Sequence, residues 1–263
     1  MNKQVADCRS QVVSLALVGI ALLAALPLWG PGMVNTRGGG DSPFLLLRTH
    51  QMVANLRAGV FPVRWMPDAA YGLGYPFFSY YAALPYYLAG LLVLAGLDIL
   101  MAIKTVQTLG FIAAALAMYG WMYRLTGSRR AAWLAAVAYT FAPFHLVNVY
   151  VRGDSLSEFW AFVWYPLILW GVKRIGESAS QRVASCKSQI AALALAYAGL
   201  ILTHNISAFI FTPFALLYLW LSWLRRDRDL RGLLIGHGAL FVGGLLSTWF
   251  WLPAVCGLDY VQL

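Results

Sequence analysis

Asp41 is the first residue whose type and position indicate chemistry, because it stands between three glycines and an apolar run in GGGDSPFLLL at 38–47. Glycines let a backbone approach a ligand closely. A carboxylate at a membrane surface can act as a general base or bind a metal ion. Proline is favoured in the first turn of a helix, so Ser42-Pro43 predicts a helix that continues to about Arg57. Asp41 could also simply cap that helix, and both interpretations stay open.

A pair of carboxylates follows in the segment NVYVRGDSLSEFW at 148–160. Asp154 and Glu158 are four residues apart, so they share one face of a helix that begins near Ser155. Acidic residues in a first helical turn also interact favourably with the helix dipole, which is the structural alternative. Arg152 stands beside the pair, and charged groups at a membrane boundary favour a role in a functional site.

A third polar group, LTHN at 202–205, separates two apolar runs with almost no linker. His204 and Asn205 are therefore either a turn between two helices or contacts for a substrate at the helix ends. His237 lies inside an apolar run, and we interpret it as a histidine that is hydrogen-bonded within a helix bundle.

The composition defines the environment in which these groups act. Of the 263 residues, 61% are hydrophobic and 11% are charged, whereas a soluble domain is about 45–50% apolar and about 25% charged. The sequence therefore predicts an integral membrane protein. The net charge of +9 is expected to fix the orientation of the helices rather than to bind nucleic acid. Walker A, GxSxG, HExxH and dinucleotide-binding motifs are not found in the sequence.

The sequence contains eight apolar segments whose length is close to the roughly 20 residues that a membrane span needs. Basic residues near 124–130, 173–187 and 225–231 mark three cytoplasmic loops. These three loops lie on the same side of the membrane as the N-terminus only if one of the apolar segments does not cross the membrane. The segment at 77–97 is excluded, because its four tyrosines and Pro85 are typical of an interfacial or broken helix. The eight segments are 11–30, 78–97, 104–124, 131–148, 156–173, 189–203, 206–223 and 232–252.

The resulting prediction is an all-α, polytopic membrane helix bundle with about seven transmembrane helices and juxtamembrane or re-entrant helices on the outer face. Residues 1–263 form a single membrane domain, in which 31–103 is an outer loop. The N-terminus is expected in the cytoplasm as an uncleaved signal anchor, and the C-terminus outside the inner or plasma membrane. The arginines of the outer loop run against the positive-inside trend. We also expect the chain to be the N-terminal part of a longer protein.

These motifs resemble the GT-C superfamily of membrane glycosyltransferases. The blocks at 56–88, 141–159 and 202–205 resemble one branch more narrowly, the bacterial membrane proteins labelled "6-pyruvoyl-tetrahydropterin synthase-related". The resemblance runs from about residue 11 to the C-terminus. Members of the branch have a histidine shortly after the first acidic residue, whereas here the nearest one, His50, lies further along.

The resemblance implies a seven-helix module with one acidic site in the first outer loop and another in the second. Asp41 matches the first, and Asp154 or Glu158 the second. These three are the expected catalytic residues, with Asp41 as the general base. The same three carboxylates could hold a divalent cation, or Arg64 and Arg152 could take the place of the metal.

The activity that the resemblance implies is transfer of a sugar from a polyprenyl-phosphate donor to an acceptor on the outer face. The expected partners are the lipid-linked donor and membrane lipids, without nucleic acid. Two other functions stay open: a transporter or flippase for lipid-linked intermediates, and a non-catalytic scaffold for envelope glycans. The expected substrate-binding residues are Arg64, Arg152, His50, His204 and Asn205.

Overall fold

The structure is a computed structural model that describes residues 2–33, 42–153, 155–181, 186–225 and 230–260. Within these ranges the protein is all-helical, as the sequence predicted. The α-helices are α1 (Asn2–Ala25), α2 (Ser42–Arg57), α3 (Phe77–Tyr80), α4 (Leu84–Leu94), α5 (Ile99–Thr126), α6 (Arg129–Thr140), α7 (Pro143–Tyr150), α8 (Leu156–Gln181), α9 (Cys186–Thr203), α10 (Asn205–Leu224), α11 (Leu230–Leu246) and α12 (Thr248–Cys256).

Helices α5 and α8 form a parallel pair at the centre of the bundle. Near their N-termini, Trp160 Nε1 donates a hydrogen bond to the Val106 carbonyl at 3.1 Å. Near their C-termini, Arg124 Nε donates to Glu177 Oε2 at 2.6 Å. We call the end that holds the N-termini of α5 and α8 the loop end, and the end that holds Arg124 and Glu177 the basic end. Gly110 permits the close approach, because a Cβ there would lie 2.4 Å from Phe159.

The central helix α8 contributes to two hydrophobic cores. Leu156, Phe159 and Val163 pack into a core shared with α1, α2, α4 and α5. Ile168 and Ile175 pack into a second core shared with α9, α10 and α11. Within a membrane such cores are stabilised mainly by close van der Waals packing of the side chains. Helix α8 is consequently held by one core along its first half and by the other along its second half.

The segment at 77–97 is not one continuous helix, which confirms that part of the prediction. It consists of the single turn of α3, an extended stretch and the 11 residues of α4. A helix of 11 residues is about 16 Å long, roughly half of the hydrocarbon thickness of a bilayer. Helix α4 packs on α2, where Gly90 faces Leu56 and Met52. This stretch therefore lies against the loop end of the bundle.

Three helical segments in the described ranges are long and apolar enough to cross a membrane: Ile99–Thr126, Arg129–Tyr150 and Asn205–Leu224. A fourth arises if α11 and α12 are counted as one bent span. Shorter apolar helices occur at Val13–Trp29, Leu84–Leu94 and Lys187–Thr203. Length and composition therefore give three or four candidate spans, fewer than the seven that the sequence predicted.

The predicted segment at 232–252 is divided rather than continuous. Helices α11 and α12 are bent by 67° at a short break. Ser247 stands at the break, and its hydroxyl donates to the carbonyl oxygens of Gly243 and Gly244 at 3.2 and 2.9 Å. Trp251 Nε1 also donates to the Gly244 carbonyl at 2.9 Å. These bonds satisfy carbonyl groups that the bend releases from the helix, so the break is stabilised locally.

Candidate functional site

An ion pair lies at the loop end, where the turn after α7 meets the first turn of α8. The Arg152 guanidinium contacts the Glu158 carboxylate and also donates to Asn148 Oδ1 at 3.1 Å. The Arg152 side chain is 45% exposed and the Glu158 side chain 20%. Helix α8 begins at Leu156, close to the predicted start, so Glu158 faces the loop end from a rigid helical turn. A pair that is this open to solvent adds little stability to the fold.

His204 stands at the junction of α9 and α10. Its Nδ1 accepts a hydrogen bond from the Ser207 backbone N–H at 3.3 Å, so His204 is the N-cap of α10. Nδ1 also lies 2.6 Å from Ser207 Oγ. In the neutral ring, Nε2 then carries the hydrogen and can act as a donor. His204 therefore forms the junction between two helices, as one of the two interpretations of LTHN required.

Burial keeps His204 uncharged at neutral pH. The residue is 7% exposed, and this burial lowers the pKa of the imidazole below its usual 6.5. The Glu158 carboxylate acts in the opposite direction, and the Arg152 guanidinium lowers the pKa further. The pKa of the His204 imidazole thus responds to both charges of the ion pair, so His204 lies on the same end of the bundle as Arg152 and Glu158.

Tyr81 connects His204 to helix α2. Its ring centroid lies 5.8 Å from the His204 ring and 5.8 Å from the Arg48 Cζ atom. Arg48 also lies 4.4 Å from the centroid of the Phe77 ring and donates to Tyr86 Oη at 3.4 Å. We name Arg48, Tyr81, Arg152, Glu158 and His204 the loop-end cluster.

Segment 79–82, which comprises the end of α3 and the two residues after it, is held by hydrogen bonds to several elements. Asn205 Nδ2 donates to the Tyr80 carbonyl at 3.2 Å, and Ser157 Oγ donates to the Ala82 carbonyl at 3.1 Å. Tyr80 Oη donates to the Gly257 carbonyl at 2.7 Å. Asn205, predicted to bind substrate, therefore has a positioning role in this structure, while its buried Oδ1 has no hydrogen-bond partner.

A cavity of about 260 Å³ is lined by Phe78 and Ala83, the residues that flank this segment in the chain. Arg64 is its charged lining residue, and its guanidinium donates to the Trp249 carbonyl in α12. Ser79 Oγ donates to the Arg64 carbonyl at 3.2 Å, which links the cavity to segment 79–82. The apolar walls include Leu56, Phe61, Val63, Phe78, Leu84, Tyr87, Leu202 and Phe250.

Asp41 and Asp154 lie outside the described residues, but their neighbours in the chain are in contact. Ser42 Oγ donates to the Gly153 carbonyl at 3.4 Å. Ser42 is the residue after Asp41, and Gly153 is the residue before Asp154. Helix α2 runs from Ser42 to Arg57 as predicted.

The predicted metal site is not tested by these residues. Among the residues that the structure describes, no three His, Cys, Asp or Glu side chains are close enough to hold a metal ion. Two of the three predicted ligands, Asp41 and Asp154, are outside that set. The third, Glu158, contacts Arg152.

His50 does not share the environment of the cluster. It is exposed on α2, whereas the adjacent Thr49 and Gln51 are buried. Because successive helical residues point about 100° apart, His50 faces away from the packed side of α2. Its predicted role in substrate binding therefore has no structural support. His237 Nδ1 lies 2.9 Å from the Leu233 carbonyl, which confirms its interpretation as a bundle histidine.

Sequence reasoning did not identify two charged residues, Arg48 and Lys104, as candidate site residues. Arg48 was noted only as an arginine in the outer loop, although its position four residues after Phe44 indicates a contact on one helix face. Lys104 begins a predicted span, yet it is 8% exposed and its Nζ donates to the Gly30 carbonyl at 2.7 Å. Lys104 and Gly153 line the same small recess. A lysine inside an apolar run was the available signal.

The fold and the polar cluster at one end of the bundle define an all-helical membrane protein with a candidate site near the membrane boundary. The family described as "6-pyruvoyl-tetrahydropterin synthase related domain; membrane protein" matches residues 78–261. The chain belongs to this family. It is also similar to an uncharacterised protein of Lactococcus lactis subsp. cremoris (strain MG1363), with 24% identity over 248 residues. That match covers 91% of this chain but 38% of the relative, so the chain spans well under half of the relative's length.

Proposed function

We propose that this chain is the membrane module of a glycosyltransferase that moves a sugar from a polyprenyl-phosphate donor to an acceptor on the outer face. In this proposal the module is a GT-C-like bundle of about seven spans in the cell inner or plasma membrane. The basic end faces the cytoplasm, as the positive-inside rule favours for Arg124, Lys173 and Arg225. The N-terminus is then cytoplasmic, and the loop end and the C-terminus face outward.

The observation that carries the proposal is that segment 79–82 links the loop-end cluster to the Arg64 cavity, because it is hydrogen-bonded both to Ser157 at the start of α8 and to the Arg64 backbone. A polyprenyl-phosphate sugar has an apolar chain, an anionic phosphate and a polar sugar. The cavity offers apolar walls for the first isoprene units and an arginine for the phosphate. The cluster offers an aromatic ring, a hydrogen-bond donor and a carboxylate for the sugar and the acceptor.

The contact between Ser42 and Gly153 supports a shared position for the two acidic sites. In the proposed reaction, the Asp41 carboxylate takes the proton of the acceptor hydroxyl. The hydroxyl oxygen forms a bond to the anomeric carbon, and the bond from that carbon to the phosphate oxygen breaks. Polyprenyl phosphate leaves with the electron pair. Arg64 stabilises the charge that develops on this leaving group.

Arginine, rather than a metal ion, is the proposed counter-charge. Glu158 is engaged by Arg152, so one of the three carboxylates proposed as ligands already has a cationic partner. An arginine can bind a phosphate through two parallel hydrogen bonds. Transfer should therefore persist when divalent cations are removed with a chelator, whereas a metal-dependent site would lose activity and regain it when Mg²⁺ or Mn²⁺ is added.

The test is a transfer assay in proteoliposomes that contain the full-length protein. A panel of polyprenyl-phosphate hexoses is supplied with an envelope extract as the source of acceptor, and released polyprenyl phosphate is measured by mass spectrometry. We expect release by the wild type and loss of at least about 100-fold in Asp41→Asn, the lower bound for removal of a general base. Glu158→Gln is expected to reduce release as well.

Asp98→Asn is the matched control, because Asp98 is another carboxylate at the loop end. It caps α5 by accepting a hydrogen bond from the Leu100 N–H at 2.9 Å, and asparagine caps helices equally well. This variant should retain wild-type release. Release by Asp41→Asn at the wild-type rate would remove Asp41 from the mechanism, and an inactive wild type with every donor would contradict the proposed function.

A transporter for lipid-linked intermediates is a second candidate, and the 67° bend between α11 and α12 favours it. Broken helices line the substrate sites of many transporters. This function predicts that the donor moves between leaflets without loss of its sugar. The same proteoliposomes separate the two functions, since only transfer releases free polyprenyl phosphate.

A further inference from the structure

A second cavity, of about 610 Å³, lies along α8 and α9. Its lining is almost entirely apolar and includes Trp164, Trp170, Ala192, Ala196 and Leu202. Gly199 forms part of the wall, because a Cβ there would lie 2.6 Å from the Trp164 ring. We name this cavity the α8–α9 groove. It meets the Arg64 cavity only at its far end, where Leu84 and Leu202 line both.

The polar lining residues of the groove lie together at the basic end. Arg174 comes from the last part of α8, and Gln189 from the first turn of α9. Gln189 is 7% exposed, and its Oε1 has no hydrogen-bond partner. No ion pair joins Arg174 to a carboxylate in the described ranges. A buried acceptor without a donor and a cation without a counter-charge indicate that an anionic, hydroxyl-bearing group belongs here.

The length of the groove fits one lipid chain. Thirteen residues of α9 separate Gln189 from Leu202, which corresponds to about 20 Å along the helix. One leaflet of a bilayer contributes roughly 15 Å of hydrocarbon. An acyl chain whose head group is at Arg174 would therefore reach the far end of the groove. Only its last few bonds would extend beyond its own leaflet.

We propose that the α8–α9 groove binds one anionic phospholipid with a hydroxyl-bearing head group, such as phosphatidylglycerol. The phosphate pairs with Arg174, a head-group hydroxyl donates to Gln189 Oε1, and an acyl chain lies along the apolar walls that α8 and α9 form. Lys187 stands two residues before Gln189 and adds positive charge. The neighbouring Glu177 is paired with both Arg124 and Lys173. This balance favours an anionic lipid over a zwitterionic one.

This site is separate from the proposed donor site. Its head-group residues lie at the basic end, whereas Arg64 and the loop-end cluster lie at the opposite end of α8 and α9. The bound lipid therefore lies along the packed pair of α8 and α9, apart from the proposed donor site. The proposal stands whether or not the chain transfers sugars.

The test measures lipid binding to the full chain after removal of lipid in detergent. Phosphatidylglycerol and phosphatidylcholine with identical acyl chains are added in mixed micelles, and bound lipid is counted by native mass spectrometry. We expect one tightly bound phosphatidylglycerol, with a preference of about fivefold for each cationic contact. Arg174→Gln should reduce the preference by about fivefold, and Ala192→Phe should block binding, because Ala192 lines the groove from its open side.

Matched controls use residues outside the groove. Arg130 is an exposed arginine at the basic end, and Ala191 is the exposed neighbour of Ala192. Arg130→Gln and Ala191→Phe should bind phosphatidylglycerol like the wild type. Equal binding of the two phospholipids, or unchanged binding by Arg174→Gln, would overturn the proposal. Displacement of phosphatidylglycerol by polyprenyl phosphate would also overturn it and assign the groove to the donor chain.

Discussion

Ser42 Oγ lies 3.4 Å from the carbonyl oxygen of Gly153, a residue 111 positions further along the chain. This contact joins the first residue of α2 to the turn that precedes α8. Two of the three acidic residues that are expected to be catalytic, Asp41 and Asp154, are the adjacent chain positions. The proposed reaction requires this proximity, because a base and a second carboxylate can act on one substrate only if they share a site.

The first prediction concerns membrane orientation. Single cysteines are introduced at Asp68 and Asp98, exposed positions at the loop end, and at Leu125 and Arg225, exposed positions at the basic end, in a cysteine-free background. A membrane-impermeant maleimide should label Asp68→Cys and Asp98→Cys in intact cells. It should label Leu125→Cys and Arg225→Cys only after the membrane is permeabilised.

Protection of Asp98→Cys in intact cells, with Asp68→Cys labelled, would mean that segment 77–97 crosses the membrane. The proposed orientation, with the loop end facing outward, would then be wrong. Equal labelling of all four positions before permeabilisation would indicate leaky cells, which a cytoplasmic marker protein detects.

The second prediction concerns the pH dependence of stability at His204. Because burial lowers the pKa of the folded-state imidazole below 6.5, the unfolded chain binds a proton before the folded protein does. The contribution of His204 to the free energy of unfolding is therefore complete above pH 6.5, and it decreases as the pH falls toward the folded-state pKa. The midpoint of thermal unfolding in detergent should decrease over this range.

His204→Asn is the matched variant, because asparagine also caps a helix but does not titrate. Its unfolding midpoint should depend less on pH than that of the wild type. His204→Ala removes the cap and should lower the free energy of unfolding by about 1 kcal/mol at neutral pH. An identical pH dependence in His204→Asn and wild type would show that His204 is already charged or is not buried.

The third prediction concerns the packing of α11 on α9. A Cβ at Gly243 would lie 2.6 Å from the Ala194 carbonyl oxygen, a backbone atom that cannot rotate away. Gly243→Ala should therefore force the helices apart and destabilise the protein by about 1–3 kcal/mol. At Gly244, a Cβ would meet nothing within 4 Å, so Gly244→Ala should be close to neutral. Unfolding midpoints of the two variants that do not differ would contradict this packing.

Local sequence signals predicted the boundaries that depend on local chemistry. Ser42-Pro43 indicated the start of α2, and the polar residues around His204 indicated the junction of α9 and α10. The tyrosines and Pro85 indicated that 77–97 is broken. In each case a cap, a proline or a polar turn acts within a few residues, so the helix boundary can be predicted without knowledge of the tertiary structure.

The structural features that the sequence did not predict depend on contacts between residues far apart in the chain, or on residues that interrupt a helix only weakly. The bend at Ser247 was taken as continuous helix, because Gly243, Gly244 and Ser247 are all compatible with an apolar helix and become a break only through the hydroxyl–carbonyl bonds. The pairing of Arg48 with Tyr81 joins residues on α2 and on the stretch before α4. Sequence spacing does not encode such a contact.

The most direct test of the central claim is a cross-link between positions 41 and 154. Asp41→Cys and Asp154→Cys are combined in a cysteine-free background and treated with a short bis-maleimide, and the full-length protein is cleaved between the two sites. The account predicts that the two fragments stay joined, while a control pair of cysteines at His50 and position 154 does not cross-link, because His50 faces away from the packed side of α2. Fragments that separate freely in the 41–154 pair would contradict the shared acidic site and the reaction built on it.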